Sequence, residues 1–109
     1  MLILTVRTDK PEAEIRLFQD QTQLGELVWH AHRELGTTIH KQISALLANS
    51  NKQLTAIEGL VVYEGPGSFT GLRIGLSVAN ALADGLKLPI IAAGNDDWQQ
   101  QGIERLLAG

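Results

Sequence analysis

A glycine-rich turn at the start of a helix is where anion chemistry would be sought. The first backbone N–H groups of a helix have no intrahelical acceptor and point at whatever ligand sits there. In this 109-residue chain the turn is Gly65-Pro66-Gly67-Ser68, followed by Phe69 and Thr70. Its spacing fits neither familiar phosphate loop. Five residues separate Gly65 from Gly71 where a P-loop has four, and Leu72 stands where its Lys belongs. A dinucleotide fingerprint needs a third glycine at the position of Thr70. The residues read better as backbone geometry: glycines for close approach, Pro66 for stiffness, Ser68 or Thr70 as helix cap. Ser68 has no evident His/Asp partner in the sequence and is not assigned as a nucleophile. The three histidines are His30, His32 and His40. The first two would share a face of a strand, but a metal site needs three or four converging ligands, and no such set is legible. No catalytic, cofactor-binding or metal-binding residue is therefore expected.

The elements that position this turn follow from hydrophobic period. Leu2–Val6 is a short apolar run suited to a buried strand, and Ala13–Gln19 alternates, with Ala13, Ile15 and Leu17 on one face. Asp20-Gln21-Thr22 turns the chain into a hairpin partner, Leu24–His32, in which Leu27, Trp29 and Ala31 share a face and Val28 does not. Thr37 or Thr38 would cap a helix reaching Asn49, with Ile39, Ile43, Leu46 and Leu47 on its apolar side. Ile57–Tyr63 is a second buried strand and runs straight into the Gly65 turn. A long helix, Gly71–Leu86, comes next, then a short strand, Pro89–Ala93. Asn95 would cap a last helix through Leu107, weakened by Gly102. The order is β-β-β-α-β-α-β-α. A meander leads into crossovers that require parallel pairing, giving a mixed five-stranded α/β sheet with three helices.

The long helix carries an unusual pattern. Arg73, Ser77, Asn80 and Asp84 fall in one stripe about 60° wide, and nearly everything else is apolar or small. Ile74, Val78, Leu82 and Leu86 form a bulky row suited to packing on a sheet. Gly71, Gly75, Ala79 and Ala83 form a small row that a second helix could approach closely. So much apolar surface in so short a chain is covered either by another helix of the same subunit, packed on the small row, or by a second subunit. The reading preferred is a subunit interface, with the small row facing a partner helix.

Composition sets the outer bounds. A 44% hydrophobic content suffices for one core, and 19% charged residues describe a globular domain. The net charge of −3 leaves no electrostatic footprint for gripping a nucleic-acid backbone unaided. With no cysteine, neither a disulfide framework nor a thiolate zinc site is available. Without a membrane-length apolar run or a signal-peptide layout, the cytoplasm is the expected compartment.

The stretch Gly65 to Ala83, GPGSFTGLRIGLSVANALA, closely resembles the signature of the TsaB (YeaZ) family, which works in making threonylcarbamoyladenosine on tRNA. The likeness extends from Leu2 to about Ala93 and covers the first half of a usual family member. It marks Gly65, Pro66, Gly67, Ser68, Phe69, Thr70 and Arg73 as a structural motif. It also implies a single ribonuclease H-like lobe of the actin/Hsp70/sugar kinase superfamily, with the usual second lobe absent.

Members of this family are non-catalytic. The resemblance therefore implies a scaffold for a TsaD-like transferase acting at tRNA position 37, with a TsaE-like ATPase joining the complex. A homodimer is implied in isolation, tRNA is met only indirectly, and neither a cofactor nor a membrane is involved. The first two helices supply the interface, here Ile39 and Ile43 from one and Gly71, Leu72, Gly75, Leu76, Ala79 and Ala83 from the other.

One departure stands out. The family opens with Asp-Thr-Ser after its first strand, and this chain has Arg7-Thr8-Asp9. A cation thus replaces the carboxylate that helps hold Mg²⁺ in the superfamily's ATPases. A self-associating lobe with a drifted role, or a nucleotide- or metal-dependent enzyme, are the alternatives. On the interface reading, Ala79→Leu abolishes self-association, followed as mass by light scattering, and leaves folding cooperative.

Overall fold

The computed structural model describes residues 1–31 and 35–109. Five strands form one sheet in the order β3-β2-β1-β4-β5. They are β1 (Leu2–Arg7), β2 (Glu12–Gln19), β3 (Thr22–His30), β4 (Gly59–Tyr63) and β5 (Ile90–Ala93). β1, β2 and β3 pair antiparallel as a meander, and β4 and β5 join parallel to β1. Helices α1 (Leu35–Asn49) and α2 (Phe69–Leu86) make the two crossovers, and α3 (Trp98–Ala108) closes the chain. A single 3-10 turn, Leu54–Ala56, precedes β4.

Alternation along the strands sorts the side chains into two cores. Leu2, Leu4 and Val6 of β1, Ala13, Ile15 and Leu17 of β2, and Leu60 and Val62 of β4 face α1 and α2. Ile3, Val61, Tyr63 and Ala93 face Trp98, Ile103 and Leu106 of α3. The layers are therefore helix, sheet, helix. Each fully buried aliphatic, such as Ile3, Leu4 or Ile15, contributes about 1.5–3 kcal/mol.

The expected elements are all present, with shifted boundaries. α1 begins before the proposed caps, so Thr37 and Thr38 lie inside it, and Thr38 Oγ1 accepts a hydrogen bond from Trp29 Nε1 at 3.2 Å. Asn95 does not cap α3. It sits at φ 68° and donates its N–H to the Gly65 carbonyl at 3.0 Å, while Asp97 takes the cap position. Val28 points away from the core and is 52% exposed, as the odd register of the third strand implied. His32 lies outside the described residues.

The long helix is turned the other way from the expectation. Ala79 is fully buried, Gly75 and Ala83 are buried, and the bulky row is split, with Val78 buried and Ile74, Leu82 and Leu86 half-buried. A Cβ on Gly71 would overlap the Thr8 carbonyl, and one on Gly75 would overlap Thr8 Oγ1. The small row is thus the surface on which the helix approaches its own sheet. Ala79→Leu accordingly overpacks the core and costs about 1–3 kcal/mol of stability, rather than acting on association alone.

Glycine also matters in α3, where a Cβ on Gly102 would collide with both γ-methyls of Val61. Gly85 of α2, by contrast, has nothing within 4 Å of that position. The same change then has opposite signs. Gly102→Ala lowers the free energy of unfolding by about 1–3 kcal/mol through overpacking. Gly85→Ala raises it by about 0.5 kcal/mol through helix propensity. Urea denaturation of both variants checks this.

Candidate docking face

Two regions converge on the start of α2. The first is the turn itself. Arg7, at the end of β1, donates from Nε to Asp9 Oδ1 at 2.7 Å and from Nη2 to Oδ2 at 3.3 Å. Its guanidinium also stacks 3.9 Å from the centroid of the Tyr63 ring. The hydrogen bond to Asp9 raises the Arg7 pKa above its ordinary value and outweighs partial burial. Tyr63 meets the edge of Trp98 at 5.5 Å and donates its hydroxyl to the Pro66 carbonyl at 2.5 Å. The Gly65–Pro66 bond is cis.

Glycine at position 67 leaves room for Asp9, whose carboxylate a Cβ there would overlap, and Gly94 lies equally close to the Gly65 carbonyl. The loops after β1, β4 and β5 are therefore locked together by their own side chains. Arg7 and Asp9 neutralise each other in the space beside the turn. Among the described residues no group of three or more His, Asp or Glu could hold a metal ion. Ser68 occupies the N-cap position without a side-chain capping bond, and its carbonyl accepts from the Leu72 N–H at 2.9 Å. A cavity of about 260 Å³ opens on the other side, lined by Thr8, Lys10, Pro11, Ala31, Ser68, Thr70, Gly71 and Ile74.

The second region is the outward arc of α2. Arg73, Ser77, Asn80 and Asp84 are exposed, as their spacing predicts. Phe69 joins them at 73% exposure, with the Arg73 guanidinium 5.6 Å from its ring centroid. Arg73 makes no ion pair among the described residues, with Glu64 or otherwise. Beside this arc a groove of about 420 Å³ runs toward the start of α1, lined by Gly36, Thr70, Arg73, Ile74, Ser77 and Val78.

Most of the residues assigned to a partner from sequence are elsewhere. Ile39, Ile43 and Ala79 are core residues, Gly75 and Ala83 are buried, and Gly71 faces Thr8. Leu76 packs on the core shared with α1, and Leu72 on the core beneath α3. Phe69, read from sequence only as part of the loop motif, is the most exposed large apolar side chain among the described residues. An aromatic directly after the helix cap, one turn ahead of an arginine, was the available signal.

Comparison with known proteins adds the family. A family model described as TsaD, tRNA N6-adenosine threonylcarbamoyltransferase, matches residues 26–94. The tRNA threonylcarbamoyladenosine biosynthesis protein TsaB of Escherichia coli is 34% identical over 99% of this chain and 49% of its own length. The TsaB of Haemophilus influenzae is 34% identical over 87% of this chain and 39% of its own, and that of Bacillus subtilis 30% over 87% and 42%. The chain belongs to the TsaB family. It spans about half the length, or less, of these curated relatives. YeaZ from Pseudomonas aeruginosa superposes with a TM-score of 0.77 at 22% identity, over 93% of this chain and 49% of that one. RuvC of Thermus thermophilus gives 0.61 at 14% identity, over 86% and 64%. Those two likenesses concern the fold alone, and the lobe of this TsaB-family chain is ribonuclease H-like. No helix among the described residues is long and apolar enough to cross a membrane.

The Arg7–Asp9 pair yields its own expectation. The Asp9 side chain is only 6% exposed, so Arg7→Ala leaves a nearly buried carboxylate without its partner. That variant loses about 2–3 kcal/mol of stability, and Asp9→Asn loses less, both read by thermal or urea unfolding.

Proposed function

We propose that this chain is a non-catalytic scaffold of threonylcarbamoyladenosine formation, docking and activating a TsaD-like transferase through the outward arc of α2 and the adjoining start of α1. The observation that carries this reading is Phe69. A phenylalanine 73% exposed, beside an arginine with no ion pair among the described residues and at the rim of a largely apolar groove, has the composition of an interface hot spot. A surface facing only water gains nothing from holding such a ring there.

The turn supports the same reading from the other side. Its glycines accommodate Asp9 and close loop packing, and the Arg7–Asp9 pair fills the space next to it. In this account the loop motif is a brace that aims the first turn of α2 at a partner. A TsaE-like ATPase joins through the complex, tRNA is met only by way of the transferase, and the work takes place in the cytoplasm. The 109 residues act as one lobe.

Capture of a TsaD-like transferase on the immobilised chain tests this directly, with restored tRNA modification in a strain lacking TsaB as the functional readout. The wild-type chain retains the transferase. Phe69→Ala combined with Arg73→Ala weakens capture by at least about tenfold with unfolding unchanged, since such anchors contribute about 2 kcal/mol or more. Undiminished capture by the double variant removes this face from the proposal. Titration calorimetry with ATP and Mg²⁺ is expected to give no binding heat, and a saturable heat would favour the nucleotide-dependent alternative.

A further inference from the structure

The glycine-rich turn before α2 has a carboxylate beside it, supplied by the chain itself. Asp9 lies over Gly67 so closely that a Cβ at position 67 would overlap its carboxylate and its own Cβ. Arg7 meets the same carboxylate with two N–H donors, Nε to Oδ1 at 2.7 Å and Nη2 to Oδ2 at 3.3 Å. Paired donors from a planar guanidinium are the geometry by which proteins hold free carboxylates and phosphates. Enclosure completes the likeness to a bound ligand, since only 6% of the Asp9 side chain reaches solvent.

The walls around this carboxylate are held by other elements. Arg7 is the last residue of β1, in register with Glu14 of β2, and its guanidinium rests 3.9 Å from the centroid of the Tyr63 ring. Tyr63 ends β4, and its hydroxyl donates to the Pro66 carbonyl, which anchors the turn that carries Gly67. Asp9 itself comes from the loop between β1 and β2. Glu14, the acid opposite Arg7 in the sheet, accepts instead from Arg16 Nη1 at 2.8 Å. We propose that Asp9 is the resident ligand of an oxyanion pocket formed by Arg7, Tyr63 and the Gly67 turn, and that it holds this pocket closed to free carboxylates. The anion that such a turn invites is thus met from within the chain, independently of what docks on the outward arc of α2.

Releasing the ligand from its tether tests this. Asp9→Gly removes the atoms of one acetate, so added acetate can refill the pocket in that variant and not in the wild-type chain. Thermal unfolding is followed in sodium acetate against sodium chloride at equal ionic strength. The Asp9→Gly midpoint is expected to rise saturably, by about 4–8 °C at an acetate concentration several times its Kd. The wild-type midpoint is expected to be the same in both salts. Acetamide has the shape of acetate without its charge and gives a smaller shift. Asp9→Gly combined with Arg7→Ala gives none. Asp9→Ala with formate repeats the test without the added backbone freedom of glycine, and replaces it where the glycine variant does not melt cooperatively. The proposal is overturned if neither variant responds to its anion more than the wild-type chain does. An equal response to acetamide overturns it too, as does a response that survives the loss of Arg7. So does a wild-type chain that acetate stabilises to the same extent as the variant.

Discussion

A single side chain governs how the longest helix meets the sheet. Thr8 is buried just past the end of β1, and its hydroxyl donates to the Gly71 carbonyl at 2.6 Å. Its own carbonyl and hydroxyl occupy the space that side chains at positions 71 and 75 would need. Contact that close is possible only where the helix has no Cβ to interpose. Once Gly71 and Gly75 face Thr8, helical period dictates the rest. Ala79 and Ala83 are carried onto the sheet below them, and Arg73, Ser77, Asn80 and Asp84 are carried into solvent. The orientation of the proposed docking face is thus set from the opposite side of the helix.

The same contact explains why a loop of phosphate-binding appearance reads here as a joint. The segment after β1 carries Thr8 onto α2, Asp9 against Gly67 and Arg7 onto Tyr63. Tyr63 in turn holds the Pro66 carbonyl and packs on Trp98 of α3. Helices on both faces of the sheet are coupled through this cluster. A guanidinium shared between a carboxylate and an aromatic face is well satisfied, and that pairing makes Arg7 part of the joint. Burial on the two faces of the sheet then supplies the stability that keeps the joint closed.

An exposed helix face with one large ring and both signs of charge has the composition of a recognition surface. The ring and the half-buried aliphatics beside it offer apolar area, while Arg73 and Asp84 place opposite charges toward its two ends. Small residues occupy the contact beneath, so the helix lies low on the sheet and its outward arc borders an open groove. Family membership and geometry meet here: the segment that carries the TsaB-like signature is the segment whose first turn the fold braces and presents.

Several features were set by sequence alone. Strict alternation in Ala13, Ile15 and Leu17, the apolar periods of Ile39, Ile43, Leu46 and Leu47, and the run from Ile57 to Tyr63 fix strand and helix identity, because burial has the period of the element. The polar stripe of α2 and the family signature were equally legible. Which of its two remaining rows would meet the sheet was not. A bulky row and a small row are both compatible with burial, and choosing between them requires knowing how near the neighbouring strand comes. That distance is set by Thr8, more than sixty residues away along the chain. The pairing of Arg7 with Asp9 and Tyr63, and the exposure of Phe69, were hidden for the same reason: hydrophobic period tells which side of an element is covered, and only the assembled loops decide what does the covering.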